Sequence, residues 1–331
     1  MVLALGLSST VRLIALMALL VGWSAPIAAA PAEWSREWPK TDFSKASVPL
    51  DELISGGPPK DGIPAIDDPE FVAAPASQGL SPREPVISVR IGKAARAYPL
   101  RILIWHEIVN DTVDGTSIAV TFCPLCNSAV VFERRVDGRV LSFGTTGKLR
   151  HSDLVMYDRE TESWWQQFLG EAIVGELVGK RLPLVPSRVE SFERFAERFP
   201  SGQVLVPPRA GGRAYGTNPY VGYDRSERPF LYRGRHDDPV PPLARVVAVG
   251  DQAWTLELLM QRRRIEAGDL VLTWEPGQSS PLDAAAIEAG RDIGNVVVQR
   301  RTAAGMADAV YDVSFAFAFR AFHPNGPIHA E

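Results

Sequence analysis

Short runs of β-branched and aromatic residues, separated by Gly and Asp, dominate the chain from residue 86 onward. Examples are "VISVRIG", "SIAVTF" and "AVVFERRV". Runs of this length between turn residues predict β-strands. Asp137-Gly138 stands between two of them and predicts a tight hairpin turn. Helical spacing is rarer, but the aromatic residues of "SFERFAERFP" recur as on one helix face, which predicts a short helix with Ser191 as its N-cap.

The two ends of this β-rich region resemble each other. "VRIGKAARAYPLRIL", from Val89, resembles "VAVGDQAWTLELL", from Val247, if a two-residue gap is allowed. "IAVTFCPLCNS" resembles "LVLTWEPGQSS", and "SFERFAERFP" resembles "SFAFAFRAFHP". Three matches in the same order predict two copies of one unit, packed as a pseudo-twofold pair. We therefore expect an α+β fold that is predominantly antiparallel β, with two pseudo-repeated β-rich lobes and short helices.

Changes in composition suggest where these regions begin and end. Residues 33–85 are rich in Pro, Gly, Asp and Ser and predict an irregular arm draped over the body. Residues 207–243 form a long loop rich in Tyr, Pro and Gly that could cover a site. The expected organisation is a signal peptide at 1–32, the arm at 33–85, a first lobe at 86–206, the loop at 207–243 and a second, degenerate lobe at 244–331.

The N-terminus has the features of an export signal. Arg12 precedes the apolar run "LIALMALLV", which is too short to span a bilayer but typical of a signal-peptide core. Small residues follow, and Ala30-Pro31-Ala32 fits the cleavage pattern. An uncleaved N-terminal anchor is the alternative. We expect an exported protein, periplasmic or extracellular, with no integral membrane segment after removal of the signal.

Composition and charge narrow the classes of function. Hydrophobic residues make up 46% of the 331 residues and charged residues 22%, which are the proportions of a folded globular protein. The net charge of −4 provides no strongly basic surface, so we expect no nucleic-acid partner. The two cysteines, Cys123 and Cys126, are too few for a disulfide-stapled scaffold. Protein partners and small-molecule ligands stay open.

The Cys-Pro-Leu-Cys segment carries the strongest chemical signal in the chain. In a thioredoxin-like protein this motif opens a helix, but here "SAVVFERRV" follows and favours a strand. Strand, Cys-x-x-Cys and strand are typical of metal knuckles, in which both sulfurs point to one side. Asn127 follows the second cysteine and is among the few residues that tolerate a left-handed backbone there. The second repeat has Glu275 and Gln278 instead of the cysteines, so we expect the first lobe to hold the working site.

A knuckle supplies two ligands, and histidines elsewhere in the chain are the natural source of the others. His106 is the best candidate, because "WHEIVND" immediately precedes the strand that carries the cysteines. His323, in the terminal "AFHP", could return to the first lobe through the pseudo-twofold packing, and His151 is a further candidate. A Cys₂His₂ set would suit zinc, while copper or iron stays open. Residues that could support the ligands or move a proton are Glu107, Asp111 and Asn127.

Two other functions compete with metal binding. An exported Cys-x-x-Cys could cycle between dithiol and disulfide, which would make the protein a thiol–disulfide oxidoreductase that uses Cys123 and Cys126. A local disulfide or an inert thiol pair would leave a non-catalytic binding or structural module, for which the tyrosine-rich loop is a candidate surface. The sequence has no G-x-S-x-G, dinucleotide-binding or haem-attachment motif.

Several motifs resemble those of one family of exported prokaryotic proteins. They are "AYPL", "HEIVND", "TFCPLCNS", "LVMYDRETES" and the terminal "AFHP". Together they are similar to domain-of-unknown-function family 3179 (DUF3179), from about Asp61 to Pro324. The family pattern usually has Asn where this chain has His151, which weakens His151 as a ligand. The resemblance implies export and supplies no activity.

Overall fold

The computed structural model describes residues 31–208 and 212–331. The predicted signal peptide, residues 1–32, therefore lies outside the described residues except for Pro31 and Ala32. Within the two described ranges, no helix is both long enough and apolar enough to cross a membrane. The described chain is mostly β, with antiparallel sheets and few short helices, which confirms the predicted fold class at that level.

The strands are short and follow one another closely along the chain. Those before the tyrosine-rich loop are β1 (Leu53–Ser55), β2 (Phe71–Ala73), β3 (Pro85–Ile91), β4 (Ala94–Pro99), β5 (Ile108–Val113), β6 (Thr116–Cys123), β7 (Ser128–Glu133), β8 (Arg135–Val136), β9 (Arg139–Val140), β10 (Phe143–Arg150), β11 (Asp153–Asp158), β12 (Trp164–Gln166), β13 (Glu171–Val174), β14 (Ser187–Ser191) and β15 (Gln203–Leu205). Those after it are β16 (Arg245–Val249), β17 (Gln252–Thr255), β18 (Arg264–Ala267), β19 (Leu270–Glu275), β20 (Asn295–Thr302), β21 (Gly305–Asp308), β22 (Asp312–Phe315) and β23 (Ile328–His329).

The helices are one or two turns long. The α-helices are α1 (Ala32–Glu37), α2 (Leu100–His106), α3 (Phe192–Arg198), α4 (Leu256–Arg262) and α5 (Ala316–Phe322). Single 3₁₀ turns are found at Leu50–Glu52, Ala74–Ala76, Tyr223–Arg225 and Ile287–Ala289. Helices this short depend on tertiary packing for their stability, because a short isolated helix is marginal in water.

Most strands belong to five sheets in a propeller-like arrangement. The strand orders are β1-β10-β11-β12-β13, β14-β3-β4-β15-β2, β22-β16-β17-β23, β18-β19-β20-β21 and β5-β6-β7, and β8-β9 forms a separate ribbon. Among the described strands, pairing is antiparallel except between β4 and β15 and between β17 and β23.

Two of the sheets share one topology. In β14-β3-β4-β15 and in β22-β16-β17-β23, a central hairpin has an antiparallel strand on one side and a parallel strand on the other. A seven-residue helix follows each hairpin, and both helices end at a residue with a left-handed backbone, Glu107 (φ 58°) and Arg263 (φ 63°). The next long strands, β6 and β19, end at Cys123 and Glu275. The internal matches in the sequence therefore fall on equivalent elements.

Two local predictions are confirmed. Asp137 and Gly138, with φ angles of 48° and 79°, connect β8 to β9. Two successive positive φ angles are those of a turn whose twist matches the flanking strands. Ser191 is the N-cap of α3, and its side chain accepts a hydrogen bond from the Arg194 amide.

The N-terminal arm is held on the body by aromatic side chains. Trp34 and Trp38 pack against Trp164 of β12, with ring centroids 5.1 and 5.2 Å from that of Trp164. Trp38 is fully buried, and Lys60 Nζ lies 4.1 Å from the centre of its ring. Because buried aromatic rings contribute strongly to stability, the arm stabilises the sheet that contains β12.

Candidate metal centre

The Cys-Pro-Leu-Cys segment forms a tight turn between two strands, here called the knuckle (residues 123–127). Cys123 ends β6, and it is paired with Ser128 at the start of β7. Asn127 has a left-handed backbone, with φ 51°, and its amide donates to Pro124 O at 3.2 Å. The predicted strand–turn–strand geometry, with Asn127 in the left-handed position, is confirmed.

Strand β22, from the second half of the chain, fixes the knuckle from outside. The Phe315 amide donates to Cys126 O at 2.9 Å. The Asn127 side chain donates through Nδ2 to Val313 O at 2.6 Å. The positions of the two sulfurs therefore depend on packing between the two halves as well as on the turn itself.

The third member of the cluster, Asp153, is not among the residues predicted from the sequence. One of its carboxylate oxygens and the sulfurs of Cys123 and Cys126 all lie within 4.8 Å of one another. Asp153 begins β11, directly after a tight turn at His151 and Ser152, whose φ angles are 54° and 67°. The three residues of the cluster are at most 2% exposed, and both thiols are free. The cluster therefore offers two sulfur donors and one oxygen donor in a closed interior.

The Asp153 carboxylate is fixed through one of its two oxygens. Oδ2 accepts from Gln166 Nε2 at 2.6 Å and from the Phe168 amide at 3.0 Å. Oδ1 is buried and accepts no hydrogen bond from an N–H or O–H group of the described chain. The donors that lie near this carboxylate are the thiols of Cys123 and Cys126, which are themselves candidate ligands. Oδ1 is thus available to a cation.

Glu107 adds a fourth acidic group beside the cluster. It terminates α2, and its backbone carbonyl accepts from the Phe122 amide at 2.8 Å, which joins the end of the helix to β6. Within the described residues, no hydrogen bond or ion pair reaches its carboxylate. Burial, followed by the proximity of Asp153, raises the pKa of Glu107 to about 8. The carboxyl group is therefore held beside the cluster without a compensating partner.

Burial raises the pKa of every acidic group of the cluster. The pKa of Asp153 rises to about 7. The pKa of the Cys123 thiol also rises, and that of the Cys126 thiol rises well above its usual range, mainly because both are buried. None of the main contributions to these pKa shifts comes from a cation of the described chain. Without an added cation, the thiols therefore hold their protons at neutral pH.

The structure does not bring the predicted histidine ligands into this cluster. His106 is buried, with Nδ1 donating to Pro64 O at 2.7 Å and Nε2 accepting from Tyr215 OH at 2.7 Å. Burial lowers the pKa of His106, as expected for a neutral ring that uses both nitrogens in this way. His323 stacks on Phe319, with ring centroids 5.0 Å apart. Neither histidine belongs to the group of ligand atoms found among the described residues.

Two further candidates have partners of their own. His151 occupies the first left-handed position of the β10–β11 turn, where Asn is favoured, and its Nε2 lies 3.5 Å from Glu52. Asp111 pairs with Arg96 at 2.5 Å and accepts from Tyr98 OH at 2.5 Å. These contacts link β5 to β4, so Asp111 stabilises the packing of two sheets.

The tyrosine-rich loop covers the cluster. Tyr223 OH donates to Leu125 O of the knuckle at 3.0 Å and accepts from the Phe230 amide at 3.2 Å. Ser152 Oγ, in the turn before Asp153, donates to Phe230 O at 2.5 Å. The loop thus contacts both of the turns that carry the cluster and closes it from solvent.

Comparison with known proteins identifies a family for this chain but does not indicate which reaction, if any, the family catalyses. A family model described as "Protein of unknown function (DUF3179)" matches residues 60–326, a range that includes Cys123, Cys126 and Asp153. No curated protein and no solved structure matches the chain. Since the matched range covers most of the sequence, the chain belongs to the DUF3179 family.

Proposed function

We propose that the protein binds a metal ion through Cys123, Cys126 and Asp153. The observation that carries this proposal is a pair of thiols and a carboxylate gathered within 4.8 Å, in an interior where no cationic side chain of the described residues balances them. Burying acidic groups together costs free energy unless a cation compensates their charge. A metal ion would displace the protons and offset that cost.

The donor set narrows the class of metal. Thiolate ligands favour zinc, copper(I) and iron over magnesium and calcium, and a carboxylate is a common ligand of zinc. Three protein donors leave one tetrahedral position, which Glu107, a water molecule or a substrate could take. We propose zinc, copper or iron as the ion, held either as the cargo of a carrier or as the cofactor of a metalloenzyme.

Thiol–disulfide exchange is less well supported by the same geometry. Exchange needs a thiolate, which a helix N-terminus or a nearby cation would favour. Cys123 stands instead at the end of a strand, where burial, Asp153 and Glu107 raise the pKa of its thiol. Such a thiol is a weak nucleophile at neutral pH.

We also propose that the protein is exported and that its two halves are copies of one unit. Export is supported by Arg12 and the apolar run that follows it. Duplication into two lobes is supported by the common topology of two sheets. The working site then lies in the first copy, and Glu275 and Gln278 stand at the equivalent positions of the second.

A metal titration tests the proposed site. Reduced, chelator-treated protein is titrated with Zn²⁺, Cu⁺ and Fe²⁺ in competition with a chromophoric chelator. We expect about one ion per chain. Cys123→Ser and Asp153→Asn should each weaken metal binding by about 100-fold or more, because each removes an anionic ligand. Loss of a residue that only hydrogen-bonds to a ligand already costs about 10–100-fold in metal affinity, and loss of the ligand itself should cost at least as much.

The second half of the chain supplies the matched control. Glu275 occupies the position equivalent to Cys123 and is largely exposed, so Glu275→Ser should bind the metal as the parent protein does. Equal affinity in the parent and in Cys123→Ser would contradict the proposal. A disulfide that forms and is reduced reversibly in the folded protein, without metal binding, would favour the oxidoreductase instead.

A further inference from the structure

A groove lies against the outer side of the knuckle, formed by the tyrosine-rich loop. Its volume is about 920 Å³, and its lining combines Leu125 of the knuckle with residues between 219 and 231. Small-molecule sites typically have roughly 300–1,000 Å³ and a mostly apolar lining. Two residues of the lining, Val221 and Phe230, are 60% and 58% exposed, more than any other large hydrophobic side chain of the described chain.

Among the described residues of the lining, one is charged, Arg228. Its side chain is exposed, and no carboxylate of the described residues pairs with it. The neighbouring Arg225 differs in this respect, because it pairs with Asp283 at 2.6 Å. An unpaired guanidinium beside apolar surface is well suited to a carboxylate, which it can bind through two parallel hydrogen bonds.

Two tyrosines of the lining also lie near the cysteine cluster. Burial raises the pKa of Tyr220 and of Tyr223, and the proximity of Cys123 contributes to both pKa shifts. The Tyr223 hydroxyl is already bonded to the knuckle and to Phe230. The Tyr220 hydroxyl has no hydrogen-bond partner in the described part of the chain, so it remains free to donate to a ligand.

We propose that this groove binds a small organic carboxylate with an apolar body. Arg228 binds the carboxylate, and Phe230 and Val221 pack against the body. The Tyr220 hydroxyl supplies a second polar contact. The occupant carries negative charge because Arg228, the charged residue among the described lining, is a cation. It is partly apolar because most of that lining is apolar or aromatic. Since Arg228, Phe230 and Val221 are not members of the cluster, the main contacts of the groove do not depend on a bound metal.

Calorimetric titration with 4-phenylbutyrate tests the proposal, with 4-phenylbutyramide as the neutral analogue of the same shape. The full mature chain is used after removal of metal by a chelator, and the titration is repeated after addition of Zn²⁺. We expect the acid to bind at least about tenfold more tightly than the amide, because it forms charge-assisted hydrogen bonds. Arg228→Gln should remove that difference, and Phe230→Ser should weaken both ligands.

Arg233→Gln is the matched control, because Arg233 is an exposed arginine of the same loop that does not line the groove. It should bind the acid as the parent does, and near-UV circular dichroism verifies that each variant is folded. The proposal is overturned if the acid does not bind up to about 10 mM, if acid and amide bind equally, or if Arg233→Gln loses as much affinity as Arg228→Gln. Acid binding without metal supports the groove whatever the metal titration gives, and metal binding without acid binding overturns only the groove.

Discussion

Replacing Asp153 by asparagine removes one titrating group from the cluster and so measures the contribution of that group to stability. Asparagine has nearly the same shape, and its side-chain oxygen can still accept from Gln166 and from the Phe168 amide, but it cannot ionise. The packing around the site is therefore preserved while the carboxylate charge is removed. We expect the stability of Asp153→Asn to depend less on pH than that of the parent protein.

The size of the effect follows from the pKa of Asp153, which burial raises from 3.8 to about 7. A carboxyl group whose pKa is higher in the folded chain stabilises the fold fully below its unfolded pKa. That stabilisation is lost as the pH rises to the folded pKa. One pKa unit corresponds to about 1.4 kcal/mol, so the parent should lose about 2 kcal/mol of unfolding free energy through this group between roughly pH 5 and 7. Asp153→Asn does not lose this stability as the pH rises. Glu107 still lowers the stability of the variant with rising pH, but by less, because the charge of Asp153 no longer raises its pKa.

Urea denaturation of reduced, chelator-treated protein, at several pH values between about 5 and 7.5, measures the difference. Asp68→Asn is the control, because Asp68 is exposed on the arm, and it should keep the pH dependence of the parent. If Asp153→Asn and the parent lose the same free energy over this range, the inference that a buried acid destabilises the metal-free site is wrong.

Three further substitutions test how the cluster and the arm are held. Asn127→Ala should lower the unfolding free energy, measured by thermal denaturation, by about 2 kcal/mol, because alanine is strained at φ 51° and the hydrogen bond to Val313 O is lost. Asn127→Gly should cost about half as much, because glycine adopts this φ without strain. Trp38→Ala should cost about 3–5 kcal/mol and open the arm to limited proteolysis, so an unchanged Tm would contradict its structural role. Tyr223→Phe should speed metal release to a chelator about tenfold, because the bond to Leu125 O is lost; an unchanged rate would mean that the loop does not close the site.

The parts of the site that depend on neighbours in the sequence could be predicted. β-branched residues after the second cysteine exclude a thioredoxin-like helix, and Asn127 marks the left-handed position of the turn. The hairpin at Asp137-Gly138 depends on the same kind of local preference. Such features need only steric preferences of the backbone, which a single sequence contains.

The third ligand could not be predicted, because tertiary packing brings it to the knuckle. Asp153 begins a strand of a different sheet, and an aspartate before "LVMYD" is equally typical of a turn. His106 lies near the cysteines in sequence, yet Pro64 from the arm and Tyr215 from the long loop occupy its two nitrogens. No local pattern shows that segments so distant in sequence will meet at this ring.

The metal content of protein purified from its native compartment, measured by mass spectrometry of the elements, tests the proposed site most directly. We predict about one equivalent of zinc, copper or iron in the parent, and none above background in the double variant Cys123→Ser/Cys126→Ser. Less than about 0.1 equivalents in the parent, or the same metal content in the double variant, would contradict the assignment of this cluster as a metal site.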